Sequence, residues 1–352
     1  MTSSRGQARG GTERVSVLLA TRNRRRWLER ALSSLRAQTH AALEILVLDD
    51  GSSDETPQFL ERLAGEDARL RWFRREQSQG LASALNFLIA HSSGSWLARM
   101  DDDDVAHPQR IAQQLADMQQ RRLDVCGTWY RRRAGWRASI ARPPVEHARI
   151  VAELLFQPPL LHPSVMFRRE VFERHGGYSE TAWCAEDYEL WVRLLPYVRF
   201  GNCPQVLMDY ALSPAQVSRR HSTQQVTTAR AFRVRALQQL GIPHTPEQAR
   251  VHAGLRDPVA IESLAQLETI HAWLRALIEH LEAEAKSSVR RQWYLQCVRA
   301  AGLGPKAFHS YAASPLATAT GKQRALLWTL CRMRLRYRSP LYNQLEPLAG
   351  IG

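Results

Sequence analysis

The chain has 352 residues, 44% hydrophobic and 23% charged, with 10 Trp, which at about 150 residues per domain makes room for two domains and excludes a lone small binding module or wholesale disorder. Forty-eight Lys and Arg against 34 Asp and Glu leave a net charge of +14, a balance suited to a polyanionic partner: nucleic acid, an anionic membrane face or a phosphorylated substrate. Five cysteines (Cys126, Cys184, Cys203, Cys297, Cys331) are odd in number and form no C-x-x-C pair, so neither a disulfide framework nor a zinc ribbon is supported and a reducing, cytosolic setting fits best.

Residues 1–14 are rich in Gly, Ser and Arg. The apolar run that follows is shorter than a signal-peptide core, and no segment has the roughly 20 consecutive apolar residues of a membrane span. VSVLLA at 15–20 reads as a strand, and Trp27, Leu28, Ala31, Leu32 and Leu35 mark one helix face after it. The next strand, EILVL, ends at Asp49-Asp50, and the turn Gly51-Ser52-Ser53 leads to a helix capped by Asp54 or a nearby Ser. LRWF, a helical stretch over 81–89, SWLARM, and a helix carrying Ile111, Leu115 and Met118 continue the alternation. Such alternation predicts a mostly parallel sheet with helices on both faces, whose ligands gather at the carboxyl ends of strands. Here those ends carry Thr21, Asp49-Asp50 and Asp101 to Asp104.

Past Arg133 the pattern becomes irregular, with Pro143-Pro144 and Pro158-Pro159 as breaks, an apolar run at 165–167 and a helix over 186–195. Beyond Ser222 long helical patterns take over, at 227–240, 259–285 and 289–301. The expected organisation is a disordered N-terminal segment 1–14, an α/β domain over 15–221 and a helical C-terminal domain with a basic tail over 222–352. Near its end, 322–338 holds six basic residues, Lys322, Arg324, Arg332, Arg334, Arg336 and Arg338, with no acidic one.

The run Asp101-Asp102-Asp103-Asp104 is the most informative feature, because four carboxylates follow an apolar strand rather than sitting in a polar tail. Crowding them there is unfavourable without a cation, and Mg2+ or Mn2+ takes one or two carboxylates and completes its shell with substrate phosphates. A solvated turn and helix cap is the plainer reading. Asp50, in Asp49-Asp50-Gly51-Ser52-Ser53-Asp54, could accept a hydrogen bond from a base N–H, although Asp-Gly-Ser is also ordinary turn chemistry. At the same sheet edge, the two acidic sites together describe a nucleoside-diphosphate pocket. Glu186-Asp187 place two acids at a helix start, where only one is needed as a cap. The other could serve as a general base towards an acceptor hydroxyl.

The blocks VSVLLATRNRRRWLERALSSLRAQTH, DDGSSD, QGLASALN, ARMDDDDVAHPQRI, HPSVMFRREVF and AEDYELWVRL, in this order, resemble family 2 glycosyltransferases of the GT-A fold over about residues 15–221. The resemblance implies a Rossmann-like sheet, a nucleotide-sugar donor, a divalent cation (Mn2+ or Mg2+) and inversion at the anomeric carbon by direct displacement. By the same resemblance Asp50 matches the acid that meets the base. Asp101 and Asp103 match the D-x-D pair, with Asp103 on the metal and Asp102 between them on the donor side. Thr21 and Asn23, after the first strand, fall on that side too. Asp187 matches the catalytic base, with Glu186 beside it. His221 sits where some relatives place a metal or diphosphate ligand, or is a solvated His beside Arg219 and Arg220. His162-Pro163-Ser164 resembles a segment near the acceptor. Neither a Q-x-x-R-W signature nor a membrane span accompanies these blocks, which favours one sugar per binding event.

The expected activity is therefore transfer of one hexose or N-acetylhexosamine from a UDP-sugar to a glycan or lipid-linked glycan acceptor in lipopolysaccharide, capsule or glycoprotein glycan synthesis. A cytoplasmic location is expected. The basic stretch 322–338 is either a solvated helix face or a peripheral contact with an anionic membrane. The competing reading, a basic nucleic-acid-binding protein, leaves the acidic strand ends unexplained and has no helix-turn-helix, zinc-finger or aromatic RNA-binding signature, so no nucleic-acid partner is expected. A dinucleotide-dependent oxidoreductase or a P-loop hydrolase lacks its glycine fingerprint.

Overall fold

The computed structural model describes residues 13–134, 137–182, 184–212 and 222–345. They fall into two compact units, one of Met1–Val145, Leu160–Leu190 and Val198–Arg219, the other of Glu146–Pro159, Trp191–Tyr197 and Arg220–Gly352.

The first unit begins with β1 (Val15–Thr21), α1 (Arg25–Arg36), β2 (Leu43–Asp50), α2 (Thr56–Glu66), β3 (Leu70–Arg75), α3 (Leu81–His91) and β4 (Trp96–Met100). β1 and β4 are buried almost throughout, as strands covered on both faces must be. Leu28, Ala31, Leu32 and Leu35 form the buried face of α1, as their spacing predicts. Asp54 does engage the start of α2, accepting from Thr56 N at 3.0 Å. The strands lie in the parallel order β3-β2-β1-β4. Thr21 pairs with Asp49, and Leu19 with Met100, so the three carboxyl ends finish at one edge. That register places Thr21, Asp50 and Asp101 together.

Beyond β4 come β5 (Val105–Ala106), α4 (Arg110–Arg121), β6 (Val125–Ala134), β7 (Arg137–Ala141), α5 (His147–Leu154), β8 (Met166–Arg168), α6 (Arg169–His175), α7 (Glu186–Leu194) and β9 (Phe200–Ala211). The stretch that looks irregular in sequence thus extends the sheet to nine strands, in the order β3-β2-β1-β4-β8-β6-β9-β5 with β7 paired to β6. Parallel pairing gives way there to a mixture: β8 runs antiparallel to β4 and β6, β9 parallel to β6, and β5 antiparallel to β9. The core packs from Val15, Val17 and Leu19 through Ile111, Leu115 and Met118 to Met166 and Met208, all buried.

The second unit contains helices Ser222–Gln239, Pro246–Gly254, Leu264–Ile278, Lys286–Arg299, Pro305–Ala312, Gly321–Arg332 and Pro340–Leu345. The pattern read as one helix over 259–285 is shorter, because Ser263 Oγ accepts from Gln266 N at 3.1 Å and starts the helix there. Thr245 and Thr320 each close a capping box that starts the helix after it. α5 belongs to this unit for a visible reason. His252 Nε2 donates to Leu155 O at 2.9 Å, its tautomer set by Trp273 Nε1 donating to Nδ1 at 3.1 Å, while Arg233 Nε donates to Phe156 O at 3.0 Å. Burial drives the His252 pKa down to about 3, so this imidazole stays neutral in the core.

Candidate active site

At the carboxyl edge of β1 and β2, the two loops are stitched together. Asn23, in the left-handed region at φ 54°, accepts from Ser53 N at 2.8 Å through Oδ1, while its own N–H donates to Ser52 Oγ at 2.9 Å. Asn tolerates that conformation better than most side chains, which explains the residue type. Gly51 has φ +84°, and a Cβ there would sit 3.0 Å from Ser78 N and 3.1 Å from Glu76 O. Only glycine fits that turn.

Asp50, buried at 5% exposure, accepts from Ser78 Oγ at 2.6 Å, Gln79 N at 3.2 Å, Gly80 N at 3.1 Å and Arg75 Nη1 at 3.4 Å. A carboxylate has about four acceptor positions, so these donors use its capacity. Here Asp50 shapes the 76–80 loop, a task that neighbouring residues in the sequence do not reveal.

The acidic run divides by role. Asp102 lies beside the end of β1, where Thr21 Oγ1 donates to its Oδ2 at 2.7 Å. Burial pushes its pKa up to about 7, with the charge on Asp101 adding to the rise. Asp101 is gripped by both terminal nitrogens of Arg99, one at 2.8 Å. Arg99 itself is almost fully buried in β4. Asp103 faces Arg24 at 3.4 Å. Asp104, fully buried, accepts from Ala211 N of β9 at 2.9 Å through Oδ1, whereas its Oδ2 is buried with no hydrogen-bond partner among the described residues. Burial, then the charge on Asp101, raises the pKa of Asp103, and that of Asp104 well above the usual carboxylate range.

Among the described residues, Asp101, Asp103 and Asp104 bring one oxygen each within 4.8 Å of one another. An all-carboxylate set with an orphaned buried oxygen and crowded charge fits a hard divalent cation such as Mn2+ or Mg2+. Asp104 thus joins Asp103 in this trio, although its place in the run gave no sign of it; the signal lies in β9, more than 100 residues later. His221 lies outside the described residues.

Glu186 and Asp187 open α7. Asp187 Oδ1 accepts from Tyr188 N at 2.7 Å. Burial raises both acids, Glu186 to about 7 with the neighbouring Asp187 charge contributing, and Arg99 opposes the rise at each. The Asp101 charge raises both as well, so the pair and the acidic run share one electrostatic neighbourhood centred on Arg99. Tyr178 and His162 complete it: their side chains meet at 3.1 Å, and burial, then Arg99, holds the imidazole neutral. The sequence does not announce Arg99 or Tyr178, because a lone Arg inside an apolar strand and a Tyr after Gly176-Gly177 carry no pattern of their own.

The chain resembles known proteins in keeping with this geometry. Residues 16–176 match the family model described as Glycosyl transferase family 2. An O-antigen biosynthesis glycosyltransferase, WbnJ of Escherichia coli, is 29% identical over 204 residues, covering 56% of this chain and 79% of that protein. An uncharacterized glycosyltransferase of Haemophilus influenzae is 26% identical over 236 residues, covering 62% and 72%. Among solved structures, S. aureus TarS 1-349 in complex with UDP-GlcNAc superposes with a TM-score of 0.53 at 15% identity, covering 96% of this chain and 90% of that one. The mannosyltransferase PcManGT from Pyrobaculum calidifontis, in complex with GDP-Man and Mn2+, gives 0.52 at 20% identity, covering 97% and 85%. With its family blocks lying on the sheet that assembles the site, this chain resembles family 2 glycosyltransferases over residues 16–176, and its fold is GT-A.

Proposed function

We propose that this enzyme moves one sugar, a hexose or N-acetylhexosamine, from a UDP-sugar to a hydroxyl of a cell-surface glycan or lipid-linked glycan acceptor, inverting the anomeric centre. The observation that carries the reading is the separation of acids into a metal-suited trio after β4 and a second pair at the start of α7, with Arg99 between them in charge. An inverting displacement needs carboxylates on the leaving-group side and a base on the acceptor side, and one cluster cannot serve both. Asp103 and Asp104, with Asp101, would hold the cation, which when bound supplies charge stabilisation to the departing diphosphate. Asp102 and Thr21 lie on the ribose side, and Asp50 meets the uracil N–H by exchanging one of its loop donors. Asp187 takes the proton of the acceptor hydroxyl. The E. coli relative's role in O-antigen biosynthesis supports the acceptor class.

The test is a thermal-shift series with UDP-, GDP- and other nucleotide-sugars, with and without Mn2+. A ligand at 100 times its Kd stabilises by about 2.7 kcal/mol. A shift with UDP-sugars that disappears in EDTA is expected. Stabilisation by GDP over UDP refutes the base assignment, and stabilisation by duplex DNA alone restores the nucleic-acid reading.

The C-terminal basic stretch favours peripheral attachment to the inner face of an anionic membrane over a merely solvated face. Its helix, Gly321–Arg332, buries Leu327, Leu330 and Cys331 on one side and exposes Trp328 at 52%, with Met333 at 49% just beyond it. Arg324 and Arg332, four residues either side of Trp328, are exposed. Each basic residue near such a surface contributes about 1 kcal/mol, which salt removes. Replacing Arg332, Arg334, Arg336 and Arg338 by Gln should abolish co-sedimentation with phosphatidylglycerol vesicles at low salt while sparing turnover of a soluble acceptor. Equal sedimentation of variant and parent removes the attachment.

A further inference from the structure

Beside the metal trio, the β6 strand presents three consecutive arginines whose surroundings differ. Arg131 and Arg133 point to one face, where Asp209 of β9 holds them at 3.4 and 2.8 Å. Arg132 points to the other. Among the described residues no carboxylate reaches it; its guanidinium lies over the Tyr130 ring at 5.7 Å, with Nη2 at 3.5 Å from the phenol oxygen. Tyr130 in turn meets Tyr210 edge to face at 5.9 Å between ring centres, and Tyr210 is the residue paired with Arg132 across the β6–β9 ladder. One residue further along β9, Ala211 N donates to Asp104. Asp104, Tyr210 and Arg132 therefore stand on three neighbouring strand paths, so about 10 Å of backbone separates the acid from the arginine at the usual strand spacing. Burial, then the charges of Asp101, Asp104 and Asp103, raises the pKa of the Tyr210 phenol. Tyr210 thus neighbours both the acidic trio and Arg132, whose guanidinium meets no carboxylate among the described residues.

We propose that Arg132, stacked on Tyr130 and flanked by Tyr210, binds a phosphate group at the rim of the metal site, either the diphosphate of the donor or a phosphate of a lipid-linked acceptor. A guanidinium offers a planar fork matched to phosphate oxygens, and stacking on a ring fixes that fork before the ligand arrives. Arg131 and Arg133 cannot do the same, because Asp209 already occupies them. This assignment rests on the acidic trio being the donor's metal site.

The experiment is calorimetry on the full chain with three phosphate probes, UDP with Mn2+, inorganic pyrophosphate with Mn2+ and decyl phosphate, and with uridine as the phosphate-free control. Arg132→Ala should weaken UDP and pyrophosphate about 10-fold if the phosphate is the donor's, or decyl phosphate alone if it is the acceptor's. Uridine binding and the melting midpoint should stay unchanged, as a merely structural role would not require. Arg133→Ala, on the opposite face, should alter none of the three. Arg132→Ala within twofold of the parent for every phosphate probe overturns the proposal. If the parent itself does not bind UDP with Mn2+, the donor reading falls, and Arg132 is then judged on decyl phosphate, where absence of binding overturns it too.

Discussion

Asp187→Asn should fold normally and bind donor with parental affinity, yet transfer sugar at least about 100-fold more slowly, the loss expected when acid–base assistance disappears. The substitution keeps the shape and the hydrogen bond from Tyr188 N that Oδ1 accepts. If Asp187 only started its helix, removing it would cost about 1 kcal/mol of stability and leave catalysis alone. Activity should also carry an acid limb. Burial raises the pKa of Asp187 and brings Glu186 to about 7, so protonation removes the base at a pH above the usual carboxylate range. The two acids titrate as a pair, and Glu186→Gln, by deleting the like charge, should move that limb to lower pH. Transfer by Asp187→Asn within a few-fold of the parent would shift the base to Glu186.

The second large effect lies at the trio. Asp103→Asn and Asp104→Asn should each weaken UDP binding in Mn2+ by about 10-fold or more, because fewer carboxylates hold the cation that offsets the diphosphate charge. Unchanged donor affinity in EDTA would remove the metal from the mechanism. The same crowding predicts a pH signature in the metal-free protein. Asp102 rises from 3.8 to about 7 in the fold, so the folded state resists its ionisation while the unfolded chain does not. Its contribution is most favourable below pH 3.8 and is lost as pH climbs through 7, on the order of 4 kcal/mol in all. In EDTA the melting midpoint should fall between pH 6 and 8, and Mn2+ should stabilise more at pH 8 than at pH 6. A midpoint in EDTA that is flat over this range would mean the fold has already relieved the repulsion.

What the sequence made legible was local. Apolar runs of strand length and the i, i+3, i+4, i+7 face of α1 announced the strand–helix alternation, and the acids after β2 and β4 stood out because strands so apolar rarely end in carboxylates. Contacts that join distant segments left no local trace. Asp104 owes its position to Ala211, Asp50 its partners to the 76–80 loop, and α5 its place in the second unit to His252 and Arg233. Among the strands after residue 124, the apolar run at 165–167 marks β8 but is too short to declare a strand, and β6 interrupts its apolar alternation with Arg131 to Arg133. His162 could be placed near the acceptor by resemblance, but its neutral state follows only from burial beside Tyr178 and Arg99.

The five thiols are all buried, three in the first unit and two in the second, and burial raises the pKa of each. An alkylating reagent attacks thiolate and needs access, so labelling of the intact protein must wait for the chain around each sulfur to open. Mass-resolved alkylation under native conditions therefore converts these cysteines into clocks of local opening. Cys126, Cys184 and Cys203 time the sheet unit, and Cys297 and Cys331 the helical one. Should the second pair label faster and nucleotide slow only the first three, the enzyme carries two separable cooperative blocks, and donor binding is felt in one of them.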